Sequence, residues 1–176
     1  IWQVDFQHDT HAHPFVPPTG GVSSIDFTIP TVGETADDVW YRVYLTVIDS
    51  LGLSTTTFLD LLPTYSSISL QTNIAGLSLA LDGEPTATPL DVSGVVGIQR
   101  TLTAPPSQTV NGTTYVFSSW SDGGAATHNI SFPAASTTYT ANYVAVLTTN
   151  VSDLPFVGTP TNGWGPVERN KANRSE

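Results

Sequence analysis

Hydrophobic and polar positions along this chain repeat with a period of two far more often than of three to four. Val39-Trp40-Tyr41-Arg42-Val43-Tyr44-Leu45-Thr46-Val47 is dense in β-branched and aromatic residues, and so are 53–62, 66–72, 77–81, 114–120 and 137–143. Each run predicts a strand, because branched and aromatic side chains pack well on a pleated surface. Turn signals separate them at Asp49-Ser50-Leu51-Gly52, Asp82-Gly83, Asn111-Gly112 and Asp122-Gly123-Gly124. Asp-Gly and Asn-Gly mark hairpins, since both residues reach positive φ at low cost. Thirteen prolines are spread through the chain and argue against long helices. Ala36-Asp37-Asp38 has room for one helical turn at most. The expected class is all-β, as two consecutive immunoglobulin-like antiparallel β-sandwich modules.

The break falls at Leu62-Pro63-Thr64-Tyr65. Residues 1–64 form one expected unit, 65–145 a second, and 146–176 a linker with the start of a further domain. No flexible linker separates the first two, so they are expected to abut. A sandwich module takes about seven strands, and 64 residues hold four or five. The first unit is therefore expected to lack its first strand, leaving an edge for a neighbour to cover.

Composition narrows the function. Of 176 residues, 11% are charged, less than half the usual share of about 25%. Thr and Ser fill the gap, which makes a hydroxyl-rich surface. Five basic against fifteen acidic residues cannot make a phosphate-tracking patch, which excludes nucleic acid as a partner. Without Cys, no disulfide, thiolate metal site or cysteine nucleophile is possible. No apolar stretch approaches the roughly 18 residues of a spanning helix, so no membrane insertion is expected. The net charge of −10 is compatible with a neutral, hydroxyl-rich partner such as polysaccharide. The chain opens on Ile1 and has no Met, which suggests a piece of a longer chain.

Tyr41-Arg42-Val43-Tyr44-Leu45-Thr46-Val47-Ile48-Asp49-Ser50-Leu51-Gly52 resembles the penultimate strand and turn of a PKD-type immunoglobulin-like domain. The His-rich opening, Phe6 to Phe15, resembles the version attached to secreted bacterial sugar dehydrogenases of the glucose/sorbosone type. Ala75 to Pro85, followed by Thr88-Pro89, is similar to PEGA-type surface modules, with Ile74 where proline is usual. Tyr115-Val116-Phe117-Ser118-Ser119-Trp120-Ser121-Asp122-Gly123 is similar to internalin-type bacterial repeats. Asn162-Gly163-Trp164-Gly165-Pro166 resembles the opening of an NPCBM-type carbohydrate-binding domain. Together these resemblances imply the secreted, extracellular accessory region of a multidomain carbohydrate-active protein, with the neighbouring domains of the parent chain as partners and no catalytic residues.

Two constellations carry candidate chemistry. Along one extended strand Asp5, Gln7, Asp9, His11 and His13 share a face and His8 takes the other. Imidazoles two apart beside a carboxylate suit a zinc-like ion. The candidate metal ligands are His8, Asp9, His11 and His13, with Glu34, Asp37 and Asp38 as further oxygen donors. The alternative is a hydrogen-bonded polar loop with no cofactor. On the strand at 39–47, Tyr41, Val43, Leu45 and Val47 form the core face, and Trp40, Arg42 and Tyr44 point outward. An aromatic–arginine–aromatic row can stack a sugar ring. Alternatively, neighbouring segments cover it and Arg42 pairs with an acid. Trp120, expected on the strand face opposite Tyr115 and Phe117, is either core or a sugar platform. No G-x-S-x-G elbow is present, and the acids lie mainly in turns, so an enzyme is not expected. The expected function is a non-catalytic carbohydrate-binding module pair. The alternatives are spacer or adhesion modules without a ligand, and a metal-stabilised module.

Overall fold

The computed structural model describes residues 1–147. The candidate NPCBM-type opening, Trp164 and the basic residues Arg169, Lys171 and Arg174 lie outside them. The described residues hold thirteen strands in three sheets and no helix, so no helix is long and apolar enough to cross a membrane. The all-β class with antiparallel sheets is observed.

The first sheet has the order β2-β1-β3-β4 and is antiparallel throughout. Its strands are β1 (Trp2–His8), β2 (His11–Thr19), β3 (Val39–Ile48) and β4 (Ser54–Leu61). One face carries Val4 opposite Val43 and Phe6 opposite Tyr41. Phe15 and Phe27 close on Tyr41, with ring centroids 4.8 and 6.3 Å away. Phe27 comes from segment 20–38, which forms no strand and brings this one ring onto the face. Phe15 reaches it because a register shift between Val4 and Asp5 inserts one extra residue into β2. The first unit thus has one sheet where a sandwich has two, for a simple reason: its residues supply four strands, and 20–38 adds the Phe27 ring to the aromatic side without pairing.

The second unit has two sheets. A five-stranded sheet runs β10 (Ser107–Val110), β11 (Thr113–Trp120), β13 (Thr137–Ala145), β5 (Tyr65–Thr72), β8 (Leu90–Val95). A four-stranded sheet runs β12 (Thr127–Ser131), β9 (Gln99–Thr103), β6 (Ser78–Leu81), β7 (Glu84–Ala87). One pair departs from the antiparallel rule: β13 runs parallel to β5, which sets the last described strand beside the first strand of this unit. Ile68, Leu70, Tyr139, Ala141 and Tyr143 from the larger sheet meet Leu79, Leu81, Leu102 and Ile130 from the smaller in one core with Phe132. This is sandwich packing. The turns at Asp82-Gly83 and Asn111-Gly112 have positive φ at both residues, which is the primed geometry that matches strand twist.

Period-two alternation fails at one place in β11. The pairing with β13 shifts between Phe117 and Ser119, and Ser118 and Ser119 are both exposed. This bulge inverts the parity of the strand beyond it. Trp120 consequently turns to the same side as Phe117, with ring centroids 6.4 Å apart, rather than to the opposite face expected from alternation.

Candidate functional site

The two units meet at a groove of about 480 Å³. Phe6, Trp40 and Tyr41 come from the first sheet, Pro63 from the connection, and Val96 and Ile98 from the turn between β8 and β9. His13, Glu34 and Thr64 add polar groups to a mainly apolar lining. Backbone bonds join the sides: Gln99 N–H donates to Thr31 O at 2.7 Å, and Val96 N–H to Thr64 O at 2.9 Å. The Trp40 indole N–H is buried and has no hydrogen-bond partner among the described residues. A donor left in that state costs about 1–3 kcal/mol. Burial pushes the Tyr41 phenol above its ordinary range. The Glu34 carboxylate is turned to its own backbone, accepting from Thr35 and Ala36 N–H at 2.8 and 2.9 Å.

The sequence-predicted sugar row is divided by the structure. Trp40 lines the groove. Arg42 and Tyr44 lie on the outer face beside Asp60 and Phe58 of β4. Arg42 donates to both Asp60 carboxylate oxygens, at 2.6 and 2.8 Å, and its guanidinium carbon sits 4.2 Å from the Phe58 ring centre. The guanidinium hydrogen bonds hold the Asp60 carboxyl below the usual carboxylate range, and the same carboxylate raises the pKa of Arg42. Arg42 is therefore already matched by an acid and an aromatic ring. Trp120 belongs to the core of the second unit, with 3% of its surface exposed. Its indole N–H donates to Ala126 O at 3.3 Å, and its ring meets His128 edge-on. It offers no face to a sugar, and the bulge explains why. The other described arginine, Arg100, pairs with Asp82.

The histidines are arranged differently from a single extended strand. Asp9-Thr10 is a two-residue turn, with Asp9 at φ 47°. Folding there sets His8 opposite His11 and Phe6 opposite His13. His8 therefore joins the face of His11 and His13, and Asp5 and Gln7 lie on the other. The donor atoms of the three imidazoles lie within 4.8 Å of one another. His8 Nε2 and His13 Nε2 are 3.0 Å apart. Asp9 is outside that group, with its carboxylate 3.9 Å from His8 Nδ1.

Sequence reasoning missed Phe6, Tyr41, Val96 and Ile98 as groove walls. The available signal was the abutting of two units at 62–65, which makes the junction a place for a cleft.

No family model matches the chain, and no solved structure matches it. An alignment 119 positions long, covering 62% of this chain, is 31% identical to a protein of Renibacterium salmoninarum whose name provisionally designates an endo-alpha-N-acetylgalactosaminidase. The match spans only 8% of that protein. It links part of this all-β chain to a carbohydrate-active protein.

Proposed function

We propose that this chain is a non-catalytic, glycan-binding accessory region of a larger secreted carbohydrate-active protein, and that the groove between its units receives the sugar. The observation that carries this reading is the groove itself, where Trp40 and Tyr41 stand beside His13 and Glu34. Aromatic rings with a few polar groups at the rim are what a sugar ring needs, since it has apolar faces and a hydroxyl edge. The relative adds the context: its name concerns N-acetylgalactosamine-containing glycans, and the matched stretch is a small fraction of it. PKD-like and PEGA-like module types, and neighbouring domains of a parent chain, belong to the same reading.

A second reading, a spacer without a ligand, is favoured by the pairing of Arg42 with Asp60 and by the burial of Trp120. Retention on insoluble polysaccharides and on mucin-type glycans ending in N-acetylgalactosamine separates the two. The expected result is retention of the wild type, loss of retention in Trp40→Ala with an unchanged circular dichroism spectrum, and full retention in Tyr44→Ala. Retention on none of them establishes the spacer. Loss in Tyr44→Ala but not in Trp40→Ala moves the site to the outer face.

A further inference from the structure

We infer that the β1–β2 hairpin is a binding site for a borderline-soft divalent metal ion, of which zinc is the type, held by His8, His11 and His13. The site does not depend on glycan binding. The tight turn at Asp9-Thr10 brings together three imidazoles that stand three and two residues apart in sequence. Their donor atoms already lie within 4.8 Å of one another, and the closest pair, His8 Nε2 and His13 Nε2, is separated by 3.0 Å. An ion with bonds of about 2.0–2.1 Å in tetrahedral geometry holds its nitrogens about 3.3–3.4 Å apart. Small rotations of the exposed His11 and His13 rings cover the difference.

Packing does not account for the cluster. His11 and His13 are exposed, and the three rings mainly touch one another, with centroids 4.0–5.0 Å apart. His8 alone also leans on Phe6, at 5.5 Å. Two Nε2 atoms at 3.0 Å require one to donate and the other to accept, so without an ion this pair depends on a single shared proton. A metal replaces that proton and uses the lone pair of each ring.

The donor set also selects the ion. It holds three neutral nitrogens, no thiolate and no converging carboxylate. That suits zinc, copper or nickel rather than calcium or magnesium, which take oxygen ligands. Three protein ligands leave a fourth position for water or a polar group from outside. His13 also lines the groove between the units, so the ion would stand at its rim.

Isothermal titration of the full chain with zinc chloride in a non-chelating buffer tests this. The expected result is one saturable zinc per chain, a rise in melting temperature of about 5–10 °C at a hundred-fold excess over Kd, and no such response to calcium. His11→Ala with His13→Ala should weaken binding more than about 100-fold, beyond the usual loss of an outer-shell partner. Both positions are exposed, so this double variant should keep the metal-free melting temperature of the wild type. Absence of one-to-one uptake, calcium binding as strong as zinc binding, or uptake undiminished in the double variant overturns the site.

Discussion

The two units are built from the same kind of strand and bury very different amounts of side chain. In the second, Ile68, Leu70, Leu77, Leu79, Leu102, Phe132 and Tyr143 are all below 2% exposed or at that value. In the first, Val4 is the one large hydrophobic residue buried to that degree among the described residues, and Leu51, Leu53, Leu59 and Leu62 are more than 60% exposed. A pleated strand supplies an apolar face, and only a second layer turns that face into a core. The second unit has that layer. The first has one sheet, an aromatic cluster of Phe6, Phe15 and Tyr41 joined by Phe27 of segment 20–38, and the ion pair of Arg42 with Asp60. Stability is thus concentrated in one unit, while the candidate binding groups, Trp40 and the histidines, belong to the other.

The largest test of this contrast replaces the same residue type in each unit. Phe132→Ala removes a fully buried ring and should cost about 3–5 kcal/mol. Phe58→Ala removes a ring that is 56% exposed, lies under the Arg42 guanidinium and is tilted against Tyr44, and should cost under about 1 kcal/mol. Urea denaturation midpoints measure both, and equal losses would break the contrast. A smaller effect comes from the opposite change. A Cβ at Gly94 of β8 would stand 2.7 Å from Phe132 Cε2 and 2.9 Å from Cζ. Gly94→Ala therefore overpacks the core, at about 1–3 kcal/mol. Adding Phe132→Leu should return part of the loss, a coupling that a double-mutant cycle reads directly.

Much of this arrangement is legible in the sequence because strands and two-residue turns are local. Val39 to Val47 alternates as it must to oppose Val4 and Phe6, and Asp82-Gly83 and Asn111-Gly112 turn as their residue types require. The illegible part depends on one-residue offsets. The bulge at Ser118 inverts the side of Trp120, and the extra residue in β2 brings the Phe15 ring onto Tyr41. Neither leaves a mark in the hydrophobic pattern, because the inserted residues resemble their neighbours. The histidine face is hidden for a related reason. Asp9-Thr10 lacks the glycine that marks the other tight turns, so a hairpin reads as one strand and His8 falls on the wrong side. The groove residues depend on two units meeting, which no local pattern encodes.

The smallest effect sharpens the picture of the first unit through pH. The Arg42 guanidinium holds the Asp60 carboxyl below its unfolded value of about 3.9. A carboxyl with a depressed folded pKa binds fewer protons in the native state than in the unfolded one over the window between the two values. Its contribution is therefore complete above the unfolded pKa and is lost as pH falls through the folded one. Asp60→Asn removes that contribution at every pH, while the amide that replaces the carboxylate keeps a carbonyl oxygen able to accept from Arg42. The variant should be less stable than the wild type at pH 7, and the two stabilities should converge as pH drops below about 3.9. High salt should narrow the gap at pH 7, because both side chains are partly exposed to solvent. A gap that stays constant into acid would mean that packing against Phe58, rather than the charge pair, is what Asp60 secures.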